Sequence, residues 1–333
     1  MRFARAFPAL AAISVGTLLG ASVLAPGLAR ADDNDLVLSR LTVKNGDGFV
    51  PDNQQFRSLV SQLGIALAPK FLTPADTLGY SGFQFSTELS YTTIDHSAAY
   101  WCATEESAGC SAADTKATSA LSTIGIFARK GIWLPLPSFE VGGGALHLIS
   151  SQMWAAQAYA KFAIHEGFHD WPIPSLSVRG AVSRLMGSEQ LDLTIPSLDV
   201  TISKSFGVAG TVNVSPYAGW NVLWMIARSE VIDKTPNVDA GIPANAMDVS
   251  NNFVFPDQDN IVRQRFFVGL KLKYYVFAFT AEAVFALAGT SVDDVAGVDT
   301  SCTNAPAADK SRCDATDTAK AQQTYTFSAS MDF

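Results

Sequence analysis

The sequence predicts an all-β fold: an antiparallel up-and-down transmembrane β-barrel of roughly ten to twelve strands with a short N-terminal helical segment. Three observations carry this. Period-two alternation of apolar and polar residues recurs in runs of about 10 residues, the length of a tilted membrane strand. Past residue 31 no stretch reaches about 18 consecutive apolar residues, so any crossing of a bilayer there must use strands. Long polar linkers alternate with short turns, so that all the long ones fall at one end of the strand array.

Residues 1–31 read as a secretory signal peptide. Arg2 and Arg5 precede an apolar stretch from Phe7 to Leu24, and Ala29-Arg30-Ala31 forms a small-residue cleavage box. Pro8 and Pro26 disfavour a membrane anchor. Removing Arg2, Arg5 and Arg30 moves the formal net charge from -8 to -11. So acidic a chain is a poor partner for nucleic acid, which needs clustered Lys and Arg.

Residues 32–78 form an N-terminal periplasmic or plug segment. After a turn at Asn45-Gly46-Asp47-Gly48, the spacing of Phe56, Leu59, Val60 and Leu63 predicts a short amphipathic helix, with Asp52 or Asn53 as its cap. The acidic stretch from Asn45 to Asp52 lacks the bidentate Glu of a calcium loop and reads as a turn.

Residues 79–333 carry the barrel. In the first run Phe83, Phe85, Leu89 and Tyr91 share one face, with Gln84, Ser86, Glu88, Ser90 and Thr92 on the other. Trp154 to His165 opposes Ala156, Ala158, Ala160, Phe162 and Ile164 to Gln157, Tyr159, Lys161 and His165. Leu176, Val178 and Val182 oppose Arg179; Leu198, Val200 and Ile202 oppose Asp199. Phe266, Val268, Leu270 and Leu272 oppose Arg265, Phe267, Gly269, Lys271 and Lys273, and Phe277, Phe279 and Phe285 oppose Thr280 and Glu282. The last run sets Tyr325, Phe327, Ala329, Met331 and Phe333 against Thr324, Thr326, Ser328, Ser330 and Asp332. Weaker runs span 121–130, 139–148 and 212–227.

Alternation alone also suits a soluble sandwich. The linkers decide for a barrel: 94–118, 227–260 and 288–321 are long and polar at one end, whereas 134–138, 166–174, 204–210 and Tyr274-Tyr275 are short at the other. Tyr80, Tyr100-Trp101, Trp133, Trp171, Trp220 and Tyr274-Tyr275 fall near strand ends, where interfacial aromatics belong. The cysteines lie in long linkers as two close pairs, Cys102 with Cys110 and Cys302 with Cys313. Three connectivities are possible, and small residues in short loops favour the neighbouring one. Without a C-x-x-C spacing, zinc is not expected.

At Tyr325, Phe327, Met331 and Phe333, together with the signal peptide, the chain resembles the bacterial outer-membrane β-barrel class, whose final strand alternates up to a terminal Phe. The resemblance covers residues 79–333. It implies a Gram-negative outer-membrane location, with outer-membrane lipid and lipopolysaccharide around the barrel and the barrel-assembly machinery reading that strand. An N-terminal segment before a modest barrel is similar to transporters of the long-chain fatty-acid type, although those barrels have more strands than this chain supplies.

His165-Glu166-Gly167-Phe168-His169 matches H-E-x-x-H, which on a helix binds zinc with the Glu as general base. Gly167, Pro172 and Pro174 oppose a helix, Glu189 is the one conceivable third ligand, and the barrel reading places the motif in a periplasmic turn. Asp95-His96 reads as a solvated loop edge and His147 as a packed strand residue. No phosphate loop, nucleophile elbow or haem motif is present. Neither an enzymatic activity, a metal nor a cofactor is expected.

Glu88, Lys161, Arg179, Asp199, Arg265, Lys271 and Lys273 fall on the polar face and are the lumen candidates. In a barrel of this size such mixed charges either lock a filled interior or line a narrow path. The sequence thus predicts a monomer mediating passage of small or hydrophobic molecules across the outer membrane, with the 56–63 helix as a plug. Two other readings are a closed structural or surface-interaction barrel, and a membrane hydrolase using His165, Glu166 and His169.

Overall fold

The computed structural model describes residues 32–45, 48–110, 116, 118–133, 138–167, 173–208, 210–234, 252–294 and 314–333. The predicted signal peptide, Trp171, His169, Cys302 and Cys313 lie outside the described residues.

Ten antiparallel strands close on themselves: β1 (Phe83–Thr93), β2 (Ala120–Ile132), β3 (Phe139–Leu148), β4 (Trp154–His165), β5 (Ser175–Met186), β6 (Leu191–Ser203), β7 (Val212–Ser229), β8 (Gln258–Tyr274), β9 (Phe277–Ala286) and β10 (Gln322–Asp332). Each pairs with its sequence neighbours, and the seam is made by β10 on β1, with Ala329 opposite Thr87. Phe83 N–H donates to Phe333 O at 2.9 Å and Phe333 N–H returns to Phe83 O at 2.7 Å, which finishes the ladder. Closure leaves no unpaired edge, as a sheet surrounded by hydrocarbon requires.

The strand count is the lower of the expected values: among the described residues the long linkers add only small hairpins, such as Ile232–Asp233 with Asn252–Phe253. The weak run over Val212 reaches Ser229, and the glycine-thinned run at 139–148 is a full strand. Outward positions expose Phe85, Leu89, Ile124, Ile126, Phe266, Val268, Phe279 and Phe327. An apolar band of that extent excludes a soluble sandwich. Tyr80, Trp133, Tyr274 and Tyr275 lie exposed at the short-turn end and Trp154, Tyr91 and Tyr325 at the other, forming interfacial girdles. Three aromatics differ from expectation. Trp220 sits in mid-strand opposite Phe266, and Tyr100 and Trp101 are both buried in the 94–119 loop, where the Trp101 indole N–H donates to Gln62 Oε1 at 2.7 Å.

The helix α1 spans Asn53–Leu67, and Asp52 caps it by accepting from Gln55 N–H. It is not amphipathic in its setting: Arg57, Ser58, Ser61 and Gln62 are as buried as Phe56, Leu59, Val60 and Leu63. The reason is its place in the mouth of the barrel at the long-loop end. There the inward residues are apolar, among them Leu146, Leu185, Leu193, Leu223 and Met225, while Trp101 and Phe255 lie over the helix in one continuous core. Phe56 stacks on Phe255 with ring centroids 4.3 Å apart. A Cβ at Gly64 would lie 2.4 Å from Met225 Sδ, so glycine permits the helix to touch β7. Much of its polar flank is paired: Arg57 donates to Gln258 Oε1 at 2.6 Å, and Arg263 donates to Ser61 Oγ at 2.6 Å.

Ala68, extended because it precedes Pro69, ends the helix. The chain then descends through the lumen and emerges at the short-turn end to begin β1. Residues 32–45 lie at the opposite end. Asn34 N–H donates to Ser150 O at 2.8 Å, Leu38 N–H to Gln190 Oε1 at 2.7 Å, and Arg40 binds the carbonyls of Cys102, Thr104 and Ser107. The arm packs where the connections 149–153 and 187–190 are short. The segment is therefore an eleventh crossing, inside the barrel, entering from the end that carries the long loops and is outermost by the usual barrel rule. A cysteine at Asp33 should label with a membrane-impermeant maleimide on intact cells, above the background of the unaltered chain. One at Ser205, in a short turn, should label only after the outer membrane is permeabilised.

Candidate functional site

Below α1 the inner wall turns from apolar to charged, and the extended segment 67–78 fills it. Every polar group of a chain inside a water-poor lumen must find a partner. The strands supply them in register with the descending backbone. Gln157 Nε2 donates to Leu67 O and Ala68 O, both at 3.1 Å, and Ser183 Oγ donates to Leu67 O at 2.7 Å. Arg265 reaches Pro69 O at 3.3 Å, and Arg179 reaches Phe71 O at 3.0 Å. Lys161 Nζ donates to Thr73 Oγ1 and to Asp76 O at 2.9 Å each. Lower down, Ser203 Oγ accepts from Ala75 N–H, Glu166 from Thr77 N–H and Glu140 from Leu78 N–H.

Leu72 holds a positive φ of 35°, a conformation costing a β-carbon residue about 1–2 kcal/mol. Both of its backbone groups are gripped: the N–H donates to Glu282 Oε2 at 3.0 Å, and the carbonyl accepts from both Arg129 nitrogens at 3.2 and 3.3 Å. Next to it the Phe71 ring stacks on Phe267 at 4.3 Å, with the guanidinium of Arg265 4.4 Å and that of Arg179 5.0 Å from its centroid. An inward Phe267 is possible because Gly219 faces it across the ladder; a Cβ there would meet the Phe267 ring at 2.3 Å.

All seven lumen candidates face inward. Lys161, Arg179 and Arg265 hold the threaded backbone directly. Asp199 binds Arg179 at 2.9 Å, and Glu88 lies 3.9 Å from Arg129, so these two act through their partners. Lys271 and Lys273 bind Asp332 at 2.8 and 3.3 Å near the short-turn end and touch nothing of the segment. Arg129, Glu140, Gln157 and Glu282 were not singled out as lumen residues from sequence, although each belongs to a polar face or a strand end, and Glu166 was noted only as part of the H-E-x-x-H motif. Phe71 gave no sequence signal at all. A small cavity of about 20 Å³, room for a single water, remains between Lys70, Glu88, Arg129 and Tyr159.

The other sequence motifs take structural places. His165 ends a strand instead of sitting on a helix, and Glu166 accepts from Thr77 and Ser138. His147 stacks on Trp154 at 4.5 Å, and Asp95 binds Lys320 at 2.8 Å. Among the described residues no three metal-ligating side chains converge. Tyr325, Phe327 and Met331 face outward on β10, and Phe333 just beyond it is exposed.

In the outer loop Cys102 and Cys110 form a disulfide. Beyond it, burial would raise the Glu106 carboxyl, but hydrogen bonds from Lys116 and Thr118 and the Lys116 charge hold it below the ordinary glutamate range. A carboxyl lowered by folding contributes stability above its unfolded pKa and loses it as pH falls through the folded one. Amide exchange in 104–110, corrected for intrinsic rates, should therefore rise as the pH drops below about 4.5, and E106Q should show that rise already at neutral pH.

Fold and lumen together define a bacterial outer-membrane β-barrel of ten strands with its N-terminal segment inside. No family model and no curated protein sequence matches the chain. Among solved structures it is similar to OmpT of Vibrio cholerae folded in vitro, an outer membrane protein, at 11% identity and a TM-score of 0.24, over 65% of this chain and 56% of that one. OmpT expressed in the outer membrane gives 11% and 0.25, over 64% and 60%. The chain thus spans under two thirds of their length. The expectation that the chain is not an enzyme is corrected to no assignment in either direction, since similarity at a TM-score of 0.24 shows neither an activity nor its absence.

Breaking the buried Arg179–Asp199 pair alone, as D199N, should cost about 3–5 kcal/mol. That loss would appear as a lower midpoint for the heat-modifiable shift in gel mobility; an unchanged midpoint would show that the clamp does not stabilise the barrel.

Proposed function

We propose that the chain is a self-plugged outer-membrane barrel whose working face is the outer platform of loops and N-terminal arm, so that it is a surface-interaction barrel and not an open passage. One observation carries this reading: four cations in the middle of the inner wall are spent on the backbone of 67–78. Lys161, Arg179, Arg265 and Arg129 each donate to a carbonyl of the segment, so these four are engaged by the chain's own backbone and not by a passing solute. Each such bond contributes about 1 kcal/mol net, and hydrogen bonds from charged donors more. Withdrawing the segment would break all of them together and strip α1 from its apolar mouth, so spontaneous opening is rare.

The described part of the outer platform is cross-braced. The disulfide braces one loop, Arg40 ties the arm to that loop, and Lys320 ties the 314–321 segment to Asp95. In planar bilayers the intact chain should insert without steady current. Stable single-channel openings that persist across positive and negative potentials would overturn the closed reading and restore passage of small or hydrophobic molecules.

A further inference from the structure

The N-terminal arm and the loop between β1 and β2 meet as two strands would. Val37 N–H donates to Ala103 O at 3.0 Å, Glu105 N–H to Asp35 O at 3.0 Å and Glu106 N–H to Asp33 O at 2.9 Å. This register sets Asn34 near Glu106, and Lys116, on the chain returning to β2, reaches both. Its Nζ donates to Asn34 Oδ1 at 2.6 Å and to Glu106 Oε2 at 2.5 Å. The lysine side chain is 0% exposed, and its Nζ lies 5.9 Å from the centroid of the buried Trp101 ring.

A buried lysine needs one carboxylate to balance its charge, and Glu106 supplies it. The amide carbonyl of Asn34 is a second neighbour, and a reactive one. One C=O bond of about 1.2 Å separates Oδ1 from Cγ, so the carbon lies within about 4 Å of Nζ, close to the roughly 3–3.5 Å of a near-attack geometry. The Asn34 amide is also held from its other side, where Nδ2 donates to Ile149 O at 2.8 Å. Glu106 is likewise fixed, accepting from Thr118 N–H at 3.1 Å and from Thr118 Oγ1 at 3.0 Å. An amine, an amide carbon and a carboxylate held together away from water are the parts of an intramolecular aminolysis.

We propose that Lys116 and Asn34 join in a covalent isopeptide bond that ties the arm to the outer loop, with Glu106 as the catalytic acid and base. Glu106 accepts a proton from the Lys116 ammonium, and the freed lone pair of Nζ bonds to Asn34 Cγ. The carboxyl then passes its proton to Nδ2 and takes the excess proton of Nζ as the Cγ–Nδ2 bond breaks. Ammonia leaves past Ile149, which is exposed, and carries that proton away as ammonium. One C–N bond forms, one breaks, nothing is oxidised or reduced, and Glu106 ends as a carboxylate. The first proton transfer runs against the ordinary acidities of the two groups, which makes the reaction slow; loss of ammonia to solvent makes it permanent.

The bond closes residues 34–116 into a covalent ring through α1, the lumen segment, β1 and the loop, so the arm no longer lifts from the barrel mouth on its own. It forms whether or not the lumen conducts. The acid-dependent exchange expected of residues 104–110 belongs to the uncondensed chain, which N34A preserves because Lys116 and Glu106 stay paired there.

The test is peptide mapping of the purified, folded full chain after reduction and trypsin. The unaltered chain should yield a branched species joining the peptide that ends at Arg40 to the peptide that carries Lys116, uncut after Lys116 and lighter than the sum of the two by one ammonia. N34A should yield none, and neither should K116R, whose guanidinium keeps a positive charge beside Glu106 but does not attack an amide. E106Q should lower the branched fraction at least about ten-fold while keeping its heat-modifiable mobility. Complete cleavage after Lys116 in the unaltered chain would overturn the proposal, as would a branched fraction in E106Q equal to that of the unaltered chain. Should a variant fail to fold, unaltered chain made as inclusion bodies and kept in urea takes its place: it should form no bond, and a branched fraction there equal to that of folded protein would overturn the role of the folded geometry.

Discussion

The structure depends on one constraint: a length of polypeptide running through a barrel interior must have every carbonyl and N–H satisfied by the wall. Arg129, Lys161, Arg179 and Arg265 answer the carbonyls, and Glu140, Glu166 and Glu282 answer the N–H groups. Because donors and acceptors of both signs are needed, the wall must carry both charges. The ion pairs between them, such as Arg179 with Asp199 and Lys161 with Glu140, then neutralise what the segment leaves over. A charged lumen here is thus a matrix for backbone.

The same constraint orders the interior along the barrel axis. A helix satisfies its own backbone, so the tier around α1 can be apolar and pack like the core of a soluble domain. An extended chain satisfies nothing internally, so the tier around 67–78 must be polar. The change from helix to extended chain at Ala68-Pro69 coincides with the change in wall chemistry, where Gln157 and Ser183 take up the last helical carbonyls. The wall and the segment are complementary level by level, which explains why the barrel fills with its own chain and not with side chains alone.

This arrangement also sets the topology of the surface. With the arm entering from the outer end, both the loops and the first described residues contribute to one outward platform, tied together by Arg40 and Lys116. Below the platform the outer wall exposes many large apolar side chains, and among the described strand arginines Arg184 on β5 and Arg228 on β7 lie exposed there, in contrast with the burial of Arg129, Arg179, Arg263 and Arg265 inside.

By itself the sequence determined the strands, because period-two alternation is imposed locally by the opposite directions of successive side chains, and a bilayer outside enforces it at every turn of the chain. It likewise determined which end carries the long loops, the helical stripe at Phe56, Leu59, Val60 and Leu63, and the inward direction of Glu88, Lys161, Arg179, Asp199 and Arg265. Only the tertiary structure decided what those charges face. Their partners are backbone groups of residues 67–78, and backbone carbonyls have no signature in a sequence. The same holds for Phe71, whose ring has meaning only between Phe267, Arg179 and Arg265, and for the outer ends of β3 to β8, where inward apolar residues blur the alternation because α1 lies against them. The helix was legible as a helix, but its place in the barrel mouth depends on contacts between residues more than a hundred positions apart, which no local pattern records.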